Sequence, residues 1–117
     1  GGALGFDTIA AETVIEMREK YQNIKLVMYL PCYGQSKMWK ESEQFRYRMV
    51  LSKADKIIYI TESVYTDDCM KLRNLKMIKD SSFCIAFCLM QKSGTGFTLR
   101  NAENVGIEIV NIADEMY

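Results

Sequence analysis

The chain has 117 residues, of which 49% are hydrophobic and 26% are charged, a composition typical of one ordinary globular domain. Fifteen basic residues balance fifteen acidic ones, which disfavours a nucleic-acid partner. Histidine is absent, and this excludes a Ser-His-Asp triad, a Cys-His pair and a His-ligated metal. No apolar run approaches the ~20 residues that span a bilayer. We therefore expect a cytoplasmic protein with no cofactor, no metal and no membrane partner.

The first half of the chain opens on a glycine-rich loop, residues 1–5, and then alternates between helical and strand patterns. Apolar residues recurring at spacings of four and three predict an amphipathic helix over 7–21. A short apolar run at 24–30 predicts a buried strand. Ser36 is the predicted N-cap of a second helix that runs to about Ser52. We expect the core face of that helix to carry Met38, Phe45 and Met49.

The second half continues the same alternation. Its predicted elements are a strand at 56–60, a loop at 61–66, a helix from Asp67-Asp68 to about Asp80, a strand at 83–89, a glycine loop at 93–96, a helix at 97–104 ending at Gly106, and a strand at 107–112. Strands that are apolar throughout are typical of parallel sheets with helices on both faces. We therefore predict a three-layer α/β fold in a single domain over residues 1–117.

Two glycine-rich loops, residues 1–5 and 93–96, fall at the predicted carboxyl edge of this sheet. Each opens directly onto a helix, which lets backbone N–H groups approach a phosphate at the positive end of that helix. The alternative is structural: the first loop is then a tight turn, and the second is a helix cap, because Ser93, Thr95 and Thr98 can also cap. Both interpretations stay open at this point.

Other side chains near that edge also have two interpretations. Arg73 and Asn74 lie one turn inside the third helix and could grip a phosphate or a ribose, or Arg73 could pair with the acids at 67–68. Cys32 follows a strand end and Cys69 lies near a helix start, but without a histidine we assign both to packing. Three aromatic residues could stack on a base or simply pack: Trp39, Tyr47 and Tyr65.

Taken in chain order, four motifs resemble the YpsA-like branch of the SLOG superfamily: Gly1-Gly2-Ala3-Leu4-Gly5-Phe6-Asp7, Leu30-Pro31-Cys32, Cys69-Met70 through Arg73-Asn74, and Ser93-Gly94-Thr95-Gly96. The resemblance extends over essentially all 117 residues. That superfamily has Rossmann-like domains and includes the LOG-type phosphoribohydrolases and the DNA-processing protein DprA. The resemblance therefore implies a Rossmann-like fold that binds a nucleotide or nucleotide-derived ligand at its glycine loops.

Ten residues form the expected ligand-binding site. They are Gly2, Gly5, Asp7, Arg73, Asn74, Ser93, Gly94, Thr95, Gly96 and Thr98. The glycines would let the backbone close on phosphate, Thr95 and Thr98 would donate hydroxyl groups, Asp7 would accept from a ribose hydroxyl, and Arg73 would supply charge.

The chain departs from the family pattern in two ways. Such proteins begin with a strand, a helix and a second strand that leads into the Gly-Gly motif, and these are missing here. We therefore expect an N-terminally truncated fragment that self-associates through unpaired strand edges. LOG-type enzymes also carry a glutamate three residues after the Thr of their second motif. If Thr98 is that Thr, the matching residue is Asn101, which cannot act as an acid or base.

The expected function is thus binding of a nucleotide-like small molecule as a sensor or regulatory module, with a homo-oligomer left open. One alternative is a nucleotide N-glycosidase that uses Asp7 or Glu12 as its acid or base. Another is a non-catalytic scaffold that recruits a protein or DNA. The sequence alone does not decide whether the protein is an enzyme.

Overall fold

The computed structural model describes residues 1–61 and 68–116, in which helices and strands alternate along the chain. The elements are α1 (Phe6–Lys20), β1 (Val27–Leu30), α2 (Glu41–Lys53), β2 (Lys56–Tyr59), α3 (Cys69–Lys79), β3 (Phe83–Ala86), α4 (Gly94–Val105), β4 (Glu108–Asn111) and α5 (Ala113–Met116). Both strand pairs, β1 with β2 and β3 with β4, are parallel. The α/β fold class is therefore confirmed, and its pattern is that of a Rossmann-like fold.

The chain divides into two compact units, Gly1–Cys69 and Met70–Tyr117, and each contains one parallel strand pair. In unit 1 the register runs from Val27 opposite Lys56 to Leu30 opposite Tyr59. In unit 2 it runs from Phe83 opposite Glu108 to Ala86 opposite Asn111. That the four strands belong to one domain stays a prediction. No helix in the described ranges is long and apolar enough to cross a lipid bilayer.

The core of unit 1 forms where α1 and α2 pack against β1. Its buried members are Ala11, Leu26, Met28, Leu30 and Val50. From α2, Tyr47 and Leu51 pack against this cluster together with Val50, so the core face of the helix has the spacing i, i+3, i+4. The burial of this apolar stripe holds α2 in place.

The predicted core face of α2 is wrong. Met38 is 90% exposed, Phe45 is 58% exposed and Met49 is 43% exposed. The helix has apolar residues on two of its faces, and both show helical spacing. The face that contains Val50 offers a longer apolar stripe, so it is the one that faces the strands, and the Phe45 face is left toward solvent.

The predicted start of α2 is also wrong, because the helix begins at Glu41 and Lys40 is its N-cap. Residues 33–39 form turns instead, and Gly34 within them has a φ of 74°. The Gln44 side-chain amide donates to the carbonyl oxygens of Ser36, Lys37 and Trp39 at 3.0, 3.2 and 3.1 Å. These bonds satisfy the turn backbone and hold Ser36 outside the helix.

In unit 2 the helix α4 begins at Gly94, three residues before its predicted start. Ser93 is the N-cap, and its Oγ accepts the N–H of Gly96 at 3.0 Å. The second glycine motif is therefore the first turn of a helix and not a loop. The helix ends as predicted at Gly106, which adopts the left-handed conformation with a φ of 83°. The short helix α5 follows β4 and has no counterpart among the predicted elements.

Two charged contacts join elements of unit 1. Arg46 of α2 donates to both carboxylate oxygens of Glu12 in α1. Arg18 of α1 donates to Asp55 Oδ2 at 2.7 Å, and the same oxygen accepts the Leu26 N–H at 2.7 Å. The hydrogen bonds from Leu26 and then Arg18 hold the pKa of Asp55 below its ordinary value.

Candidate functional site

The first glycine motif lies against the carboxyl end of β1 in unit 1. The Gln35 side-chain amide donates to the Gly2 carbonyl oxygen at 3.1 Å and to the Tyr47 hydroxyl at 2.8 Å. A Cβ on Gly2 would overlap the Leu30 side chain and come within 2.9 Å of Gln35 Nε2. Gly2 therefore lacks a side chain because β1 and the following turn pack directly on it.

The next residues of this motif form the entry to α1. Gly5 is its N-cap, with a φ of 85° that favours glycine, and no side chain caps the helix there. Asp7 Oδ2 accepts the Ala3 N–H at 3.2 Å, and Thr8 Oγ1 donates to the Ala3 carbonyl at 3.3 Å. Asp7 thus fixes the shape of the loop, which is a role separate from the expected contact with a ribose.

The second glycine motif follows β3 in unit 2, and its first residue orders the turn. Ser93 Oγ donates to the Met90 carbonyl at 2.6 Å while accepting from Gly96. A Cβ on Gly96 would overlap the Gln91 carbonyl oxygen and lie 2.6 Å from its carbon. Gly96 is therefore required by close backbone packing.

Gly94 differs from the other three glycines of the expected site. It is exposed, its φ is not positive, and a Cβ built there meets no atom of the described residues within 4 Å. Thr95 beside it is exposed as well, whereas Thr98 Oγ1 already donates to the Gly94 carbonyl at 3.0 Å. The fold by itself gives no reason for the missing side chain at Gly94.

One asparagine ties the chain after β3 to the end of β4. Asn111 Oδ1 accepts the N–H groups of Cys88 and Ala113 at 2.9 and 3.2 Å, and its Nδ2 donates to the Cys88 carbonyl at 3.0 Å. Cys88 Sγ in turn lies 3.8 Å from Ser93 Oγ. These contacts place the N-terminus of α4 at the carboxyl edge of the β3 and β4 pair.

Arg73 and Asn74 lie beside one another in α3. Arg73 is 4% exposed, and its Nε donates to Asn74 Oδ1 at 2.7 Å. Lys71 was not predicted as a site residue, and its ammonium lies 5.4 Å from the centre of the Phe97 ring near the start of α4. Its place within the Cys69 to Asn74 motif is the signal that could have found it.

The aromatic candidates in the described residues pack against other aromatic rings. Trp39 meets Tyr47 edge to face, with ring centroids 5.1 Å apart. Tyr33, which the sequence analysis did not single out, stacks on Tyr59 at 4.0 Å. Tyr65 and Asp67 lie outside the described residues.

Glu12, one of the two acids considered for an N-glycosidase, is bonded to a basic side chain. The bond to Arg46 holds the pKa of the Glu12 carboxyl below its ordinary value, against a smaller opposing effect of burial. A group that stays ionised at neutral pH is poorly suited to act as an acid. The Asn101 amide donates to the Phe97 carbonyl at 2.9 Å. Within residues 1–61 and 68–116, no three His, Cys, Asp or Glu side chains are grouped to hold a metal.

Comparison of the chain with protein-family models identifies its family. The model of the YpsA family, described as the YspA SLOG family, matches residues 1–106. The chain belongs to the YpsA branch of the SLOG family. Membership confirms the resemblance carried by the four motifs, and it supports a nucleotide-related, Rossmann-like module.

Individual relatives of this YpsA-family chain agree with the assignment. A UPF0398 protein of Bacillus cereus strain B4264 is 35% identical over 95 residues, which cover 80% of this chain and 52% of that protein. A UPF0398 protein of Bacillus thuringiensis strain Al Hakam is 34% identical with the same coverage. The chain thus spans about half the length of the curated relatives it matches.

Proposed function

We propose that the protein binds the phosphate of a nucleotide or nucleotide-derived molecule at the N-terminus of α4 and acts as a cytoplasmic sensor or regulatory module. The observation that carries the proposal is Gly94. It is an exposed glycine in the first turn of a helix, where nothing in residues 1–61 and 68–116 requires the side chain to be absent. A phosphate that approaches the backbone N–H groups would supply such a reason.

The surrounding residues fit an anion at this position. The N-terminal end of α4 carries partial positive charge, and the Thr95 hydroxyl is exposed beside Gly94. Lys71 adds a positive charge near Phe97. Ser93 and Gly96 hold the turn in shape, while the first motif, with Gly2, Gly5 and Asp7, is a second proposed contact.

Binding is favoured over cleavage as the function of this chain. Glu12 is held by Arg46 and Asp7 accepts the Ala3 N–H, so both acids considered for glycosidic chemistry already have partners within the protein. Family membership supports a nucleotide-related module and nothing more specific. The proposed partner is therefore a small nucleotide-like molecule, and a homo-oligomer is compatible with this function.

The test compares Gly94→Val with Asn104→Val. Both introduce the same branched side chain at exposed positions of α4, but Asn104 lies in its last turn. We expect Gly94→Val to abolish binding of AMP and ADP in calorimetric titration while the thermal melt stays that of a folded protein. Asn104→Val should bind like the parent. If Gly94→Val binds equally well, the motif is only a helix cap and the scaffold function is favoured.

Native mass spectrometry of the gently purified protein extends this test beyond a chosen panel. A retained small molecule supports a sensor, and release of a free base from AMP supports an N-glycosidase. Asp7→Ala then tests the first motif by itself. Weaker binding of AMP by this variant, with an unchanged melting curve, would support a contact at Asp7.

A further inference from the structure

Asn111, the last residue of β4, holds both backbone groups of one residue in the segment that leads to α4. Its Nδ2 donates to the Cys88 carbonyl at 3.0 Å, and its Oδ1 accepts the Cys88 N–H at 2.9 Å. Cys88 lies two residues beyond the end of β3, whose last residue, Ala86, pairs with Asn111 in the sheet. The Asn111 side chain thus continues the pairing of the two strands beyond their ends.

A side-chain amide suits these two bonds, because it carries one acceptor and one donor group, as a peptide unit does. The same Oδ1 of Asn111 also accepts the Ala113 N–H at 3.2 Å. An amide turned by 180° would set its NH₂ group against two N–H donors, those of Cys88 and Ala113. The three contacts together therefore fix the orientation of the amide.

A series of hydrogen bonds continues from Cys88 to the first turn of α4. Cys88 Sγ donates to the Met90 carbonyl oxygen at 3.3 Å. The same oxygen accepts from the backbone N–H of Ser93 at 3.3 Å and from its Oγ at 2.6 Å. Ser93 Oγ in turn accepts the Gly96 N–H at 3.0 Å. The position of the first turn of α4 therefore depends on where Cys88 is held.

We propose that Asn111 is a positioning residue of the α4 site, which holds the second glycine motif in the shape that receives a phosphate. This inference rests on the proposed function, because it requires a ligand at that helix terminus. The Gly96 N–H is already bonded to Ser93 Oγ. A phosphate would therefore meet the N–H groups of Gly94 and Thr95, and their direction follows from the turn before them. Asn111 itself would touch no atom of the ligand.

The test compares AMP binding by the parent, Asn111→Ala and Ile109→Ala in calorimetric titration, at a temperature where all three are folded. Asn111→Ala releases both backbone groups of Cys88. We expect it to bind AMP about tenfold more weakly, the effect of losing roughly one charge-assisted hydrogen bond to the phosphate. Ile109→Ala is the matched control, because it truncates a half-buried residue of the same strand and leaves the Asn111 amide in place. It should lower the melting temperature but bind AMP as the parent does.

A second variant keeps the test valid if Asn111→Ala does not fold. Asn111→Thr has a branched Cβ that suits a strand, and it retains a polar group. Its hydroxyl lies one bond nearer the backbone than the amide atoms of asparagine do, so it falls short of Cys88. Asn111→Thr should therefore weaken AMP binding in the same direction while the melting curve stays that of a folded protein.

Hydrogen exchange of the ligand-free protein shows whether the effect of Asn111 is local. Peptides over residues 87–97 should exchange faster in Asn111→Ala than in the parent or in Ile109→Ala, because the segment has lost its bonds to the end of β4. Addition of AMP should slow exchange in the same peptides of the parent. Equal exchange of these peptides in Asn111→Ala and in the parent would contradict the proposal.

The binding results separate this inference from the proposed function. If the parent binds AMP and both Asn111 variants bind it equally well, the positioning role is overturned and the proposed function stands. If Ile109→Ala weakens binding as much as Asn111→Ala does, the loss follows stability and the positioning role is again overturned. A parent that binds neither AMP nor ADP contradicts the proposed function, and faster exchange in Asn111→Ala would then give Asn111 a purely structural role.

Discussion

At the residue scale, the four glycines of the expected site differ in whether and why the fold requires glycine. Gly5 has a positive φ, Gly2 and Gly96 are contacted closely by neighbouring atoms, and Gly94 has neither constraint. The contacts also differ in kind. Gly2 faces the flexible ends of the Leu30 and Gln35 side chains, but Gly96 faces the backbone of Gln91, which cannot turn away.

A series of alanine variants should rank these positions. We expect Gly96→Ala to lower the free energy of unfolding most, by about 1–3 kcal/mol, because an added methyl group forces the backbone apart. Gly2→Ala should cost less, since side chains can shift. Gly94→Ala should be neutral or stabilising by up to ~1 kcal/mol, because alanine is the better helix former. Urea unfolding measures all three, and a Gly94→Ala loss as large as that of Gly96→Ala would contradict the ranking.

The sequence could not provide this ranking, because every glycine looks the same until its neighbours are known. It did predict Gly106 as the end of α4, since a glycine after an amphipathic segment is a local signal. Gly96 depends on how the carbonyl of Gln91 is directed, which is a matter of three-dimensional packing. A glycine that ends a helix can thus be predicted from the sequence, whereas a glycine required by close packing of neighbouring atoms cannot.

At the element scale, Asp55 joins three parts of unit 1. Its Oδ2 accepts from Arg18 of α1 and from the N–H of Leu26, which immediately precedes β1, while Asp55 itself lies between α2 and β2. A charged acceptor for a backbone N–H beside the core is a strong contact for one side chain. The charge of this carboxylate should therefore matter for the stability of the unit.

We expect Asp55→Ala to lower the melting temperature at neutral pH and to flatten the loss of stability in acid. The folded protein lowers the pKa of this carboxyl, so its stabilisation is complete above the ordinary value of 3.8 and is lost as the pH falls through the lowered pKa. Melting curves between about pH 7 and pH 3 measure this. The control is Glu103→Ala, which removes an exposed acid of α4, and it should change little.

If both variants lose the same stability across this pH range, the contacts of the Asp55 carboxylate with Arg18 and Leu26 do not stabilise unit 1 as expected. The sequence offered no sign of this role, because the bonded partners lie far apart along the chain. The face of α2 that packs on the core could not be predicted from the sequence for a related reason. Two faces of that helix had helical apolar spacing, and only the shape of the β1 surface selects the one that contains Val50.

At the scale of the whole molecule, the strand pairs leave apolar groups in contact with water. Phe83 and Ile85, on one face of β3, are 45% and 60% exposed. In the described part of the chain each strand has one strand neighbour, so an edge of each pair has no partner strand. Exposed apolar groups and unpaired strand edges favour contacts with further chains, so self-association stays a prediction for this chain.

Ile85→Thr should therefore reduce self-association of the protein. Threonine keeps the branched Cβ that suits a strand but removes apolar surface, so the fold should survive. Sedimentation across a range of concentrations gives the weight-average mass. The matched control is Val105→Thr, which removes apolar surface at a 64% exposed residue of α4 and should not alter association. A parent chain that stays monomeric throughout would contradict this expectation.

The alternation of helices and strands, the α/β class and the YpsA-family membership were all predictable from the sequence, because each depends on local patterns in chain order. The arrangement of the expected site was less predictable. Arg73 had been interpreted as a charge for a ligand, yet its guanidinium is buried against Asn74, so a binding test at Arg73 must be accompanied by a measurement of folding. Burial depends on neighbours that no single stretch of sequence specifies.

Trp39 gives the first glycine motif an optical probe that needs no label. It is the single tryptophan of the chain, and its ring meets Tyr47 edge to face. The Tyr47 hydroxyl accepts from the same Gln35 amide that holds the Gly2 carbonyl. A molecule that displaces Gly2 would move Gln35 and then Tyr47. Because Tyr47 contacts the Trp39 ring, the wavelength or intensity of the tryptophan emission would change. Mixing the unmodified protein with a candidate ligand and recording tryptophan fluorescence should thus detect binding at the first glycine motif, even when the natural ligand has not been identified.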